Sequence, residues 1–248
     1  MRQAACAEKD LATFCESPDL PPVSAHGDVV KWKLNIPTPR RDSIGADIVG
    51  FDTSSEVWQT GTTVDFSSVY VAVASRDTAA SINAKLAQGL HVVLAPGNFE
   101  LEDTLRLATN GQVLLGLGLP TLMPTRGTAA VTVAGNATGV RVAGLLLQAG
   151  TDHSATLLQW GDPGQQRPAP AHDADWGFMH DIFARVGGPR LPVGQQARAD
   201  SMLRVDSSGV VGDNFWLWRA DHLQGGDLVK NGDNPANNGA YRLLRLAS

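Results

Sequence analysis

Two segments in the second half of the chain combine residue types that can cleave or bind a substrate. The first, AHDADWGFMHDIFARVGG, contains His172, Asp173, Asp175, His180 and Asp181. If this segment is extended, Asp173 and Asp175 point to the same side, where two carboxylates can act as general acid and base or bind a metal ion with a histidine. The structural alternative is a solvated loop, with Asp181 bracing a turn.

The second segment, VVGDNFWLWRADH, contains Asp213, Asn214, Trp216, Trp218, Arg219, Asp221 and His222. In a strand, alternation places Phe215 and Leu217 on one face and both tryptophans on the other. Exposed indole rings beside charged groups suit a sugar, because apolar sugar faces stack on aromatic rings while carboxylates and guanidinium groups bind hydroxyls. The structural alternative packs the tryptophans beneath an N-terminal arm and pairs Arg219 with Asp221.

For other kinds of site, the required residues are missing from the sequence or are not selected by their spacing. A lyase needs a base and a cation that neutralises the substrate carboxylate; Arg204, Arg219 and Lys230 are available, but their spacing does not select them. The segment GLGLPTLMPTRG lacks the Lys-Ser or Lys-Thr end of a phosphate loop. Cys6 and Cys15 have no histidine or second cysteine pair nearby, so they form a local disulfide or stay free thiols. The sequence indicates no metal site and no cofactor.

One helix and many short strands are predicted to position these segments. In DTAASINAKLAQG, Asp77 is expected to be the N-cap, Ile82 and Leu86 share one face, and Gly89 ends the helix. VVKWKL and SSVYVAVA predict strands before it. From His91 onward, short strands alternate with Gly, Asn, Thr and Pro, which leaves no room for another helix.

Three of the strands follow similar turns. NGQVLLGLG, TGVRVAGLLL and SGVVGDNFWLW each place a glycine before an alternating strand, at Gly111, Gly139 and Gly209. The gaps are 28 and 70 residues, and the second leaves room for one more coil, formed by FMHDIFARVGG. Such spacing predicts a β-solenoid, in which stacked coils bury one another's inward side chains. A β-sandwich is the competing interpretation.

Composition narrows the class of protein further. The 248 residues carry a net charge of -5, with 43% hydrophobic and 18% charged residues, which is typical of a soluble globular protein and does not favour nucleic-acid binding. No apolar run is long enough to span a membrane. Charges at Lys9 and Asp10 interrupt any signal-peptide core, so the protein is cytosolic or has lost its leader. We expect an arm at 1–76 and a β domain at 77–248.

The segment DTAASINAKLAQGLHVVLAPGNFELEDTLRL resembles the entry of right-handed parallel β-helix proteins of the pectate-lyase-like superfamily, where two aliphatic residues and a Pro-Gly pair open the first coil. VLLGLGLPTLMPT, GVRVAGLLLQAG, HDIFARVGG and GDNFWLWRADH resemble large secreted actinobacterial β-helix proteins and, more distantly, the exo-β-1,3-glucanases of glycoside hydrolase family fifty-five. The resemblance covers about Asp77 to Asp233. It implies an all-β, right-handed parallel β-helix and an extracellular location.

The sequence departs from these relatives at its C-terminal end. They continue for several hundred residues, and the glucanases' catalytic acids would lie in that later part, so this chain looks truncated. YRLLRLAS does not resemble a further coil. Because an uncapped solenoid exposes unpaired strand edges, we expect the tail to cap the end or the chain to form a homo-oligomer through it.

Together these observations predict a protein that acts on a polysaccharide or oligosaccharide, most plausibly a glycoside hydrolase. Its catalytic pair is expected among Asp175, Asp181, Asp213 and Asp221. The expected substrate-binding residues are Trp216, Trp218, Arg219, His222 and His180. The alternatives are a non-catalytic carbohydrate-binding or structural β-helix, a truncated enzyme, or a polysaccharide lyase.

Overall fold

The computed structural model describes residues 13–16, 32–37, 61–165, 169–188, 191–192, 195–220, 222–224, 227–229 and 242–246. They form one α-helix, α1 (Ala79–Ala87), and 3-10 turns at Phe66–Ser68 and Asp173–Asp175. The strands are β1 (Thr13–Glu16), β2 (Trp32–Pro37), β3 (Gly61–Asp65), β4 (Val69–Ala72), β5 (His91–Leu94), β6 (Asn98–Leu101), β7 (Leu105–Leu107), β8 (Val113–Gly116), β9 (Thr121–Pro124), β10 (Val131–Val133), β11 (Arg141–Gln148), β12 (Ser154–Trp160), β13 (Gly177–Val186), β14 (Ala199–Val205), β15 (Val210–Arg219), β16 (His222–Gln224), β17 (Asp227–Val229) and β18 (Arg242–Leu246).

Two parallel sheets make up most of the described chain. One has the strand order β15-β13-β11-β8-β5-β4, with β6 and β9 attached beside β11. The other has the order β18-β14-β12-β10-β7. From β9 to β15 the chain alternates between the two sheets, and each return adds a strand next to an earlier one. Parallel pairing with intervening segments is what the short strands and frequent turns predict.

The register confirms the repeat that the glycines indicated. Arg141 pairs with Val113, 28 positions earlier, and with Phe178, 37 positions later. Phe178 in turn pairs with Val211. The strand β13, which contains FMHDIFARV, therefore lies between β11 and β15 and fills the longer gap in the repeat.

Inward-facing side chains of the two sheets form one core. Leu114, Val142 and Met179 are paired neighbours on one sheet, and Leu158 and Leu203 are paired neighbours on the other. Each of these side chains is at most 2% exposed. Burying such a side chain contributes about 1.5–3 kcal/mol relative to leaving it in water, and here each one is buried by its equivalents on adjacent strands.

The helix α1 forms where predicted, with one correction at its start. Thr78, not Asp77, is the N-cap: its hydroxyl accepts a hydrogen bond from the Ser81 amide at 3.2 Å, and the Ser81 hydroxyl accepts one from the Thr78 amide. A threonine followed three residues later by a hydrogen-bonding side chain forms this reciprocal cap. Ile82 is fully buried as expected, and Gly89 has φ 80° just past the helix end.

The helix also closes the free edge of β7. The Asn83 side-chain amide donates to the Thr104 carbonyl at 2.7 Å, and its oxygen accepts from the Arg106 amide at 2.9 Å. These bonds pair backbone groups that an edge strand otherwise leaves open. Within the described residues, no helix is long and apolar enough to cross a membrane.

The N-terminal strands β1, β2 and β3 form an antiparallel sheet that covers part of the eight-stranded sheet. Leu34 packs with Val69, Val93, Val113 and Leu115. β2 includes the predicted VVKWKL strand from Trp32 onward, and β4 is the predicted SSVYVAVA strand. β4 precedes position 77 yet belongs to the parallel sheet, so the expected division at 76/77 stays a prediction.

The C-terminal strand β18 corrects one expectation. Leu244 pairs with Leu203, and Leu246 pairs with Val205, in parallel register. The segment YRLLRLAS was expected not to continue the coils, but β18 occupies the next position in the five-stranded sheet. Leu244 and Leu246 are two residues apart, so they lie on the same face of the strand.

Candidate functional site

A column of left-handed residues divides β11, β13 and β15 into two halves. These residues are Gly144 with φ 69°, Asp181 with φ 50° and Asn214 with φ 55°. They follow residues that pair in register, so they lie at one level of the sheet. Gly, Asp and Asn are the residues that tolerate this conformation, and the Asn214 amide donates a hydrogen bond to the Asp181 carboxylate.

The outward side of the first half is buried on β11 and β13, whereas Val211 and Asp213 on β15 are exposed. Arg141 is 4% exposed; its guanidinium lies 4.0 Å from the ring centroid of Phe178 and donates to the Pro37 carbonyl at 3.1 Å. Phe178 stacks on His180 with centroids 5.7 Å apart. His180 is 4% exposed, so the structure places this expected substrate-binding residue in a packed layer.

The outward side of the second half is open. Phe183, Arg185, Trp216 and Trp218 lie there, and we call these four residues the aromatic face. Phe183 stacks on Trp216 at 4.9 Å and 11° between planes, and Trp216 stacks on Trp218 at 6.0 Å and 24°. Trp216 is 62% exposed and Trp218 is 43% exposed. The predicted alternation is confirmed, because Phe215 packs against the core on the other side.

Sequence reasoning missed Phe183 and Arg185, the residues of β13 that complete this face. Arg185 pairs in register with Gln148 on one side and Trp218 on the other. Its Nε donates to Gln148 Oε1 at 2.6 Å. Alternation along FMHDIFARV could have placed Phe183 and Arg185 on one face, but the register that brings them beside Trp216 and Trp218 is a tertiary feature.

The predicted carboxylates are placed at different sites. The Asp213 side chain is 54% exposed, and an oxygen of it lies 3.7 Å from His180 Nδ1. Asp181 lies one level further along the neighbouring strand. Asp173 and Asp175 lie in a 3-10 turn, so the extended arrangement that would point both carboxylates to the same side does not form. The Asp175 carbonyl accepts the Gly139 amide at 2.9 Å. Asp221 lies outside the described residues.

The remaining candidates are accounted for as follows. Arg219 is partly buried at the end of β15. Outside the described part of the chain lie Cys6, Lys230 and the side chains of Cys15 and His222. Arg204, considered for a lyase, is tied to the buried Asp206 by its Nε at 2.7 Å. Over the same described residues, no group of three or more His, Cys, Asp or Glu could hold a metal ion.

The geometry defines a flat aromatic surface flanked by a cation and a half-exposed carboxylate. Stacked indole and phenyl rings offer apolar contact to a planar or ring-shaped ligand, and Arg185 and Asp213 offer hydrogen-bond donors and acceptors at either side. Two carboxylates on adjacent strands, Asp181 and Asp213, lie at the boundary between the buried and open halves. This combination suits recognition of a sugar.

Comparisons with known proteins identify the family. Residues 69–240 match the family described as the LAM55 pectate lyase-like domain. The chain is 37% identical over 148 residues to an exo-β-1,3-glucanase of Streptomyces sp. (strain SirexAA-E / ActE), a match that covers 60% of this chain and 23% of the relative.

Solved structures of sacteLam55A from Streptomyces sp. SirexAA-E are also similar. One superposes with a TM-score of 0.63 at 28% identity, over 86% of this chain and 35% of the other. A second, of a variant in complex with glucose, gives the same TM-score at 29% identity with the same coverage. The chain thus spans about a third or less of each of these relatives.

Proposed function

This chain belongs to the family of the LAM55 pectate lyase-like domain, and from that premise we propose that it acts on a β-1,3-linked glucan as a glycoside hydrolase. The observation that carries the proposal is the aromatic face, with Trp216 and Trp218 exposed on a rigid sheet beside carboxylates. The exo-β-1,3-glucanase relative has 37% identity over the matched residues. A glucan chain would stack its sugar rings on the tryptophans.

We propose that the parallel sheets are the walls of a right-handed β-helix. The parallel registers from β5 to β15, and from β7 to β18, support stacked coils. Right-handed connection is the strong rule for parallel strands joined through a crossover. We also propose an arm at 1–76, a β-helix domain at 77–248, an extracellular location, and self-association through the last coil.

The catalytic pair is proposed to be drawn from Asp175, Asp181, Asp213 and Asp221, with Asp181 and Asp213 best supported. They lie on adjacent strands at successive levels, next to the aromatic face. The Asn214 amide donates to the Asp181 carboxylate, which orients that carboxylate to act as base or nucleophile. The half-exposed Asp213 would supply the proton to the leaving oxygen.

Hydrolysis of laminarin tests this proposal. Asp213→Asn and Asp181→Asn are expected to lower the rate of reducing-sugar release by about 100-fold or more, the range for loss of a general acid or base. Asp200→Asn, an exposed carboxylate on β14, is the matched control and is expected to keep full activity. Unchanged rates in both site variants would reject the assignment. A lyase would instead release products that absorb in the ultraviolet through a new double bond.

A non-catalytic carbohydrate-binding role is the second candidate. It is favoured by one observation: Asp181 holds Asn214 in the left-handed column, so its carboxylate already has a structural task. Affinity gel electrophoresis distinguishes the two. A protein that is retarded by laminarin but releases no sugar from laminarin, pectin or alginate would support binding without hydrolysis.

A further inference from the structure

Arg185 is a cation held in a fixed orientation. Its Nε donates to Gln148 Oε1 at 2.6 Å. Gln148 is 3% exposed, and its side-chain nitrogen donates to the carbonyls of Ala149 and Gly187, both at 3.0 Å. The nitrogen and the oxygen of the Gln148 amide are therefore both hydrogen-bonded inside the protein, and the buried glutamine orients the guanidinium.

Packing restrains the same guanidinium from two further directions. A Cβ on Gly188 would lie 2.9 Å from the Arg185 Nε and 3.0 Å from its Cζ, so the bare glycine backbone fits against the group. The Arg185 Cζ lies 5.9 Å from the ring centroid of Phe183. An arginine at a surface position normally loses rotamer entropy when it is ordered, and here that cost has been met before any ligand arrives.

The positive charge of Arg185 has no negative partner among the described residues. Burial lowers the pKa of the Arg185 guanidinium from its usual value, which reflects the cost of withdrawing a cation from water without a counter-charge. Asp181 and Asp213 lie four and five residues before the level of Arg185 on β13 and β15, at least about 13 Å away at about 3.3 Å per residue. The exposed Glu100 lies on β6, which is separated from β13 by β9 and β11. At about 4.8 Å per strand it is too distant to pair.

We infer that the aromatic face binds a sugar that carries a carboxylate, a uronic acid unit, with its ring against Trp218 and its carboxylate on the outer nitrogens of Arg185. A guanidinium presents two parallel donors that match a carboxylate, and a neutral hydroxyl cannot satisfy the charge in the same way. The inference rests on the proposed function, since it takes the aromatic face to be a glycan site. It narrows the substrate class to glycans that carry a uronic acid unit.

Two oligosaccharides of equal length test the inference by isothermal titration calorimetry with the full chain. One is a β-1,3-linked glucose oligosaccharide, and the other is the same compound oxidised at a C6 position to glucuronate. The wild type is expected to bind the oxidised compound about tenfold more tightly at low salt, from a charge-assisted hydrogen-bonded pair. Added NaCl is expected to reduce that preference.

Variants then assign the preference to one side chain. Arg185→Gln is expected to bind both oligosaccharides equally, whereas Arg185→Lys is expected to keep part of the preference. Arg126→Gln removes the same charge from an exposed position elsewhere and is expected to leave the preference unchanged. Circular dichroism of each variant shows whether it folds like the wild type.

The outcomes separate this inference from the proposed function. If the wild type binds both compounds equally, or if Arg185→Gln keeps the preference, the uronate inference is overturned while glucan binding and laminarin hydrolysis can still stand. If neither oligosaccharide binds and laminarin is not cleaved, the proposed function fails and the inference fails with it.

Discussion

The two halves of β11, β13 and β15 share strands and register but have opposite outer surfaces. Before the left-handed column, the outer side chains of β11 and β13 are buried, as for Arg141 and His180 at 4% exposure, while Val211 on β15 is 40% exposed. After it, Trp216 is 62% exposed. The inner side chains of both halves enter one core.

The same strands are therefore covered on one half and open on the other, and the open half is where we propose that a ligand binds. Both halves present aromatic residues outward, namely Phe178 in the first and Phe183 in the second. Phe178 is covered by Arg141, whose guanidinium bonds to β2, whereas Phe183 stacks on Trp216 and Trp218, which are themselves exposed. The cover, rather than the strand sequence, decides which aromatic residues a ligand can reach.

The largest expected effect separates the covered half from the open one. Leu34→Ala removes a fully buried side chain from the layer between the N-terminal sheet and the parallel sheet, and we expect it to lower the free energy of unfolding by about 2–5 kcal/mol. Trp216→Ala is expected to change it by less than about 1 kcal/mol, because most of the ring is already in water. Urea denaturation measures both. Equal losses would mean that the second half is covered as well.

The boundary between the halves is tested by Gly144→Ala. A Cβ there would lie 2.5 Å from the Gly116 carbonyl oxygen, at φ 69°, so we expect a loss of about 2–3 kcal/mol from backbone strain and the clash together. Gly89→Ala is the matched control, since it has φ 80° and no atom within 4 Å. It should cost about 1 kcal/mol. Thermal unfolding that shows no difference between them would contradict the close stacking of the strands.

Substitutions in the open half, and not those in the covered half, should weaken glycan binding. Trp218→Ala is expected to weaken laminarin retention in affinity gels by about tenfold, equivalent to about 1.4 kcal/mol, because the stacking surface is lost. Trp218→Phe should restore part of the affinity. Phe178→Leu, in the covered half, should leave it unchanged. A stronger effect from Phe178→Leu than from Trp218→Ala would mean that the glycan binds to the covered half.

The smallest expected effect is a pH dependence of stability that comes from His91, on β5. Burial lowers the pKa of His91 from its usual 6.5, and its Nδ1 accepts the Val113 amide at 3.2 Å, which requires a neutral nitrogen. Between the lowered folded pKa and 6.5 the unfolded chain binds more protons. Stability should therefore fall as pH drops below about 6.5 and level off below the folded pKa.

His91→Gln should flatten that slope relative to the wild type in urea titrations between pH 5 and 8. The open half supplies a comparison, since Arg185 stays charged across this range. An identical slope in wild type and His91→Gln would show that the covered layer does not exclude water from the imidazole.

Much of the fold could be predicted from local patterns. The four-residue spacing of Ile82 and Leu86 and the glycine after them located α1, and the repeat from Gly111 to Gly139 anticipated the register of β8 with β11. The N-cap was missed by one residue, because Thr78 and Asp77 are both good caps and only the backbone bond to Ser81 chooses between them. The strand β18 was missed because RLLRL is short and lacks a strict alternation of apolar and polar residues.

Of the candidate site, the sequence determined the outward direction of Trp216 and Trp218, because side chains alternate along any strand. It also supplied the residues that accept a left-handed backbone. Tertiary structure alone decided that His180 is buried, that Gln148 orients Arg185 from 37 positions away, and that β2 covers one half of the sheet. Alternation is a local property of the backbone, whereas the cover of a surface depends on which distant segment packs against it.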